Sequence, residues 1–316
     1  MSAATPATTP VAAPAAAPVV RRGRAGKDPW AWVVEAWLRG HASLAYAFLY
    51  LPIVIVVVFA FNDNKLATTW TGFSLRWFGE VFKDQVVQAA LRNSFSVAIP
   101  TAILSTTFGT MAALGLQRTP RRFKMVFDAL TYISIIVPEI VIALSTLVMF
   151  ASGFELLQST TGIKLQMGVP TIVAAHMLFN ISFVLLLVRA RLDGMDRTLV
   201  EASFDLYASP WRTFRQVTFP QLLPAVVAGF LLSFTFSFDD YVITSFVSGP
   251  GSSTLPIFIF GQVKRGVTPE TNAVATMMLF FTLAMLAVGQ FTLGRASRKT
   301  GGSGTGGMAG MIAEQA

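Results

Sequence analysis

At 316 residues the chain is 53% hydrophobic and only 13% charged, with a mean hydropathy of +0.61, which excludes the disordered, collagen-like and ordinary soluble classes. It contains no cysteine, so disulfides, thiol catalysis and cysteine-ligated metals are excluded, and His41 and His176 alone do not make a histidine-based metal site. The net charge of +8 admits nucleic acid or a membrane surface as a partner, and the placement of Lys and Arg decides between them.

In chain order, the first 20 residues are almost entirely Ala, Pro, Thr and Val, followed by a basic stretch from Arg21 to Lys27. With too little bulky apolar surface to fold, residues 1–42 read as a disordered basic tail. Arg21 and Arg22 are not followed promptly by an apolar core of a signal peptide, and no cleavage is expected. Six apolar runs then follow, Ser43–Phe61, Ser94–Leu116, Ala129–Phe150, Thr171–Val188, Leu223–Val247 and Asn272–Leu293. Each is near the roughly 20 residues that carry a helix across a hydrocarbon core about 30 Å thick, so the chain reads as an all-α polytopic membrane protein with one transmembrane domain over residues 43–293. A Gly/Ser-rich segment, Gly301–Gly307, marks residues 294–316 as a flexible tail.

Alternating the segments between the spans puts seventeen of the 24 Lys and Arg on the side of the N-terminus. The excess is therefore a topology signal that places both termini in the cytoplasm, and nucleic-acid binding is not expected. The first outer segment carries Trp70, Phe73, Trp77, Phe78 and Phe82, aromatics suited to short interfacial helices and belt anchoring.

The inner stretch from Arg189 to Pro224 is long and patterned for a loop. Glu201–Ala208 suits a short helix, Ser209 can cap a second, Pro210 suits its first position, and Pro220 is expected to end it near Phe219. Phe204, Ala208 and Trp211 form an apolar face opposite Glu201, Asp205, Arg212 and Arg215, a pattern suited to docking in a groove of a cytoplasmic partner. No G-x-x-x-x-G-K-[ST] motif and no hydrolase triad occurs, so the chain is read as a non-catalytic subunit that binds no cofactor.

Acids inside apolar spans are costly and normally face a cavity or a partner. Glu139 lies about ten residues into the third span, and Asp239 and Asp240 lie about 24 Å from the inner end of the fifth. Ser233, Ser237, Asp240 and Thr244 share one helical sector, so the stripe reads as a lumen face, with Thr235 and Asp239 on a neighbouring face. No Lys or Arg occupies the third or fifth span. A cation in transit is therefore a natural counter-charge, to which Phe236, Phe238 and Tyr241 can add cation–π contacts. The alternatives are pairing of these acids with a basic residue of another subunit, or a protonated acid.

The residues Glu201, Ala202 and Ser203, with Tyr207, Ala208, Phe219 and Pro220, resemble the E-A-A-x-x-x-G and terminal L-P signature of the inner-membrane permease subunits of type I ATP-binding-cassette importers. Tyr207 stands where that pattern has Gly, and because tyrosine in a left-handed conformation is strained, the turn is expected to form at Ala208, Ser209 and Pro210 instead. Ser233–Gly251, the following L-P-I-F-I-F and G-V-T-P-E-T-N-A, and the V-P-E ending at Glu139 are similar to the spermidine/putrescine branch. The resemblance implies a bacterial inner-membrane permease that imports a polyamine. Its coupling helix would fall over residues 201–220, with Glu201, Ala202, Tyr207, Ala208 and Trp211 taking up ATP-driven closure. Asp240, Asp239, Glu139, Ser237 and Tyr241 would line the substrate path. The implied partners are two ATPase subunits holding ATP and Mg, a second permease chain and an extracytoplasmic binding protein docking on the outer loop Gly249–Asn272. An ion-gradient-driven secondary transporter, or an importer of another small solute, remain as rival readings.

Overall fold

A computed structural model describes residues 30–65 and 69–299. The expected tails are thus partly outside the described residues: 1–29 and 300–316 fall there, but residues 31–42 and 294–299 are helical and belong to the elements they adjoin. The chain divides at Val54 and Ile55 into two compact units. Six described helices are long and apolar enough to cross a membrane.

The first helix, α1 (Ala31–Phe59), is apolar and exposed around its circumference, as a span facing lipid should be. The second unit continues with the short α2 (Arg76–Val81) and the long α3 (Gln85–Gln117), whose start is fixed by Asp84 accepting from the backbone N–H of Val86 and Val87. Trp77 of α2, expected as an interfacial anchor, is instead buried in the core near Phe234 and Phe258, with its indole N–H donated to the Asn62 carbonyl at 2.7 Å. Phe73 and Phe82 remain exposed.

The third span differs from its expected course. It is split into α4 (Arg121–Ile136) and α5 (Glu139–Thr161), and only α5 qualifies as a span. Pro138 has no N–H for the ladder and forces Val137 into an extended conformation, so the helix stops and restarts. α6 (Val169–Asp193) is the centre of the bundle, packing on α3 and on α4, to which it is tied by the ion pair of Arg189 with Asp128.

After α6 come α7 (Thr198–Asp205), the single turn α8 (Pro210–Thr213) and a π-helical turn, Phe214–Thr218, that runs directly into α9 (Phe219–Asp239). Pro220 therefore does not end the second helix. The wide turn lets the Phe219 N–H reach back to the Phe214 carbonyl, and Pro220, which needs no partner, falls in the first turn of α9.

The fifth span also breaks: α9 ends at Asp239, Asp240 is extended, and α10 (Val242–Val247) restarts. The segment that follows is largely α11 (Leu255–Arg265), rather than irregular, before α12 (Pro269–Lys299).

α3, α6 and α9 approach one another at Val184 of α6, which is fully buried. A Cβ on Gly109 of α3 would lie 2.8 Å from its side chain, and one on Gly229 of α9 would lie 3.2 Å away. Small residues at such crossings let helix backbones close up where lipid gives no hydrophobic incentive to associate. This crossing holds the α6 face two turns earlier, about 12 Å along the helix, against α9.

Candidate functional site

That face carries His176. Its imidazole is 2% exposed and bridges the α9–α10 break, with Nδ1 2.7 Å from Ser237 Oγ and Nε2 3.0 Å from Asp240 Oδ2 and 3.1 Å from Thr244 Oγ1. A carboxylate only accepts, so Nε2 carries the hydrogen, while the Ser237 hydroxyl can donate to Nδ1. Both ring nitrogens thus have a partner. Asp240 also accepts at Oδ1 from the Ile243 N–H at 3.3 Å, and at Oδ2 from the Thr244 N–H at 2.7 Å and the Thr244 hydroxyl at 2.6 Å. The carboxylate thus caps α10 and supplies the partners that an interrupted helix leaves unmet.

The other break lies nearby. Glu139, the first residue of α5, reaches the Asp240 carboxyl, and both line a cavity of about 340 Å³ together with His176, Asn180, Phe179 and Phe236. Irregular backbone in a membrane protein is tolerated where it is buried in protein or lines a cavity, and transporters place their sites at discontinuous helices of this kind.

The structure therefore gathers Glu139, Ser237 and Asp240, but not the other two candidates. Asp239 points elsewhere, accepting from Thr282 Oγ1 of α12 at 3.3 Å, and the Tyr241 ring packs 4.2 Å from that of Phe260 in α11. Thr244 is brought to Asp240 by the capping turn, not by a continuous helical stripe. No Lys or Arg of the third or fifth span meets Asp240, as expected, but His176 of the fourth span does, a partner the residue pattern did not assign to it. Its signal was present in the sequence: an ionisable residue in an apolar run, with Asn180 four positions on along the same face.

Away from this cavity, in the segment between α6 and α9, α7 closes with a Schellman-type turn. The Ala208 N–H bonds to Ser203 O at 3.0 Å and the Tyr207 N–H to Phe204 O at 2.9 Å. Tyr207 itself adopts the left-handed conformation, with φ of 58°, and is 98% exposed. The turn is thus made where the Gly of the signature would stand, and not displaced to Ala208–Pro210. Ser203 Oγ lies 2.8 Å from Thr213 Oγ1 and ties α7 to α8. Glu201 and Ala202 are exposed, and Trp211, 69% exposed, stacks on Phe214. Between this elbow and the C-terminal ends of α3 and α6 lies a cavity of about 760 Å³ whose walls include Arg118, Met195, Glu201, Phe204 and Trp211.

Six apolar spans among the described residues, two interrupted helices meeting at an acid-lined cavity and an exposed helical elbow fit a membrane transport protein. Residues 105–300 match the family of binding-protein-dependent transport system inner membrane components. The putrescine transport system permease protein PotI of Escherichia coli strain K12 is 37% identical over 254 residues, covering 80% of this chain and 86% of that protein. The spermidine/putrescine transport system permease protein PotC of Haemophilus influenzae is 40% identical over 248 residues, covering 78% and 92%. Among solved structures, a bacterial ABC transporter that imports the acidic polysaccharide alginate aligns with a TM-score of 0.66 at 13% identity, over 84% of this chain and 96% of that one, a likeness of fold.

The chain belongs to the family of binding-protein-dependent transport system inner membrane components. It is a multi-pass inner-membrane permease subunit and not an enzyme, and the ion-driven secondary transporter is set aside.

Proposed function

We propose that this permease imports a polyamine, putrescine or spermidine, received from an extracytoplasmic binding protein. It would act in a complex with a second permease chain and two ATPase subunits that hold ATP and Mg, with both termini in the cytoplasm. The observation that carries the substrate class is the cavity at the two helix breaks, which Glu139 and Asp240 line and to which no Lys or Arg contributes. The names of the relatives at 37% and 40% identity support the same class.

Glu201, Ala202, Tyr207, Ala208 and Trp211 serve as the handle for the ATPases. ATP-driven closure of those subunits moves the elbow, and through Arg118 and Met195 beside it the inner ends of α3 and α6 follow. Because the π-helical turn joins the elbow to α9 without a loop, the same displacement reaches Asp240 along one continuous helix. Asp239 and Tyr241 lie beyond the cavity and act, in this reading, on the outer part of the path.

The test is uptake by the whole complex reconstituted in vesicles. ATP-dependent accumulation of labelled putrescine or spermidine that requires the binding protein is expected, and Asp240→Asn weakens it. Accumulation by this chain alone, driven by a membrane potential and indifferent to nucleotide, would overturn the assignment.

A further inference from the structure

The cavity between the two helix breaks holds polar groups that the capping of α10 does not use. Asn180 is 2% exposed, and its Oδ1 has no hydrogen-bond partner. A buried amide oxygen left unpaired forfeits its hydration without return, and such groups in native structures call for an explanation. On Asp240, three donors converge on Oδ2, Oδ1 receives the long Ile243 contact, and the Glu139 carboxyl meets the same group at the cavity wall. The Glu139 carboxyl adds another acceptor at the same wall. The apolar lining includes Phe179 and Phe236, whose ring centroids are 5.9 Å apart with planes inclined at 50°.

An amide oxygen and two carboxyl groups beside two aromatic faces want an occupant that donates hydrogen bonds, carries positive charge and brings no acceptor of its own. A primary ammonium meets all three requirements, with three N–H donors on a compact cation that aromatic faces attract. A quaternary ammonium has the charge but cannot donate to Asn180. A sugar or carboxylate brings acceptors that would face Glu139 and Asp240 unpaired.

We propose that this cavity is a subsite for one primary ammonium group of a linear aliphatic amine, with Asn180 as its neutral acceptor, Phe179 and Phe236 as its walls and Glu139 and Asp240 as its counter-charge. His176 is a positioning residue: by engaging Asp240 Oδ2 together with Thr244 it turns Oδ1 toward the cavity. The subsite rests on the polyamine reading above and goes beyond it by naming which nitrogen chemistry is read and which side chains read it.

The test uses the complete importer in vesicles with putrescine as the probe and n-butylammonium and tetramethylammonium as competitors. In the wild type n-butylammonium competes with uptake and tetramethylammonium does not. Asn180→Leu raises the KM for putrescine on the order of tenfold with kcat changed less than about twofold, and it narrows the difference between the two competitors. Asn180→Asp, which keeps an acceptor and adds charge, holds KM at or below the wild-type value and guards against a leucine variant that does not assemble. His176→Leu raises KM, and His176→Gln, which retains an N–H donor, restores part of it.

A KM within twofold of wild type in Asn180→Leu, or equal competition by the two cations in the wild type, overturns the subsite while leaving polyamine import standing. A wild-type complex that accumulates neither putrescine nor spermidine overturns the polyamine reading itself, and the subsite falls with it.

Discussion

Tyr207 shows how one residue can be kept against its own backbone preference. A left-handed conformation costs a residue with a Cβ about 1–2 kcal/mol, and the 98% exposed ring recovers none of it by packing within the chain. Tyr207→Gly is expected to stabilise the protein by about 1 kcal/mol or less, since glycine also gains freedom in the unfolded chain, as read by thermal unfolding in detergent. If the ring is a contact for the ATPases, the same variant loses coupled uptake despite its added stability. At Gly249 the constraint is space: a Cβ there would sit 1.8 Å from the Met167 carbonyl oxygen. Gly249→Ala should cost about 2 kcal/mol or more and lower the unfolding temperature, because two backbones must separate to admit the methyl group. His176 has the opposite character. Its removal takes the partner from the Ser237 hydroxyl and one of three donors from Asp240 Oδ2, a loss of about 1–3 kcal/mol measurable by the same unfolding assay.

At the scale of elements, the departures from simple spans share one cause: a backbone group that the regular ladder cannot satisfy, answered locally. Pro138 removes a donor and splits α4 from α5. Asp240 interrupts α9 and its own side chain receives the N–H groups of the restarted helix. The π-helical turn accommodates Pro220, so that elbow and span become one rod.

α7 begins on Asp196, which accepts from the Thr198 backbone N–H at 2.9 Å and the Thr198 hydroxyl at 2.8 Å, and these bonds hold its carboxyl below the usual carboxylate range. A lowered folded-state pKa contributes stability that is present at neutral pH and is lost as pH falls through that folded value. Amide exchange at the start of α7 should therefore quicken below the ordinary carboxylate range, and Asp196→Asn should quicken it already at pH 7. Equal protection of Val200 in both proteins across that range would remove Asp196 as the anchor of this helix.

For the whole molecule, the α3–α6–α9 packing at Val184 is the frame that relates the inner elbow to the cavity. A displacement of the elbow cannot be absorbed at that crossing, where Gly109 and Gly229 already bring the backbones together. Trp211→Ala should therefore leave insertion and assembly intact while separating ATP hydrolysis from putrescine uptake, read as the ratio of transported solute to phosphate released. A ratio equal to that of the wild type would deny the elbow its mechanical role.

Much of this was legible beforehand. The six spans, the inner elbow with Ser209 as a cap, and the acids Glu139 and Asp240 follow from apolar length, basic-residue placement and the insertion cost of charge, all of which depend on residues close together in the chain. The order of residues was thus enough to read an all-helical membrane permease with a short helical elbow between its fourth and fifth spans. Only the tertiary structure decided what meets Asp240, because His176 lies 64 positions away on another helix, and only packing brings the two within 3.0 Å. It also decided the partners of Asp239 and Tyr241, which meet Thr282 of α12 and Phe260 of α11 rather than the cavity. Local rules fix where a helix can run. Which polar groups must answer one another is set by the solvent-free interior, where every buried charge takes its partner from whatever element lies against it.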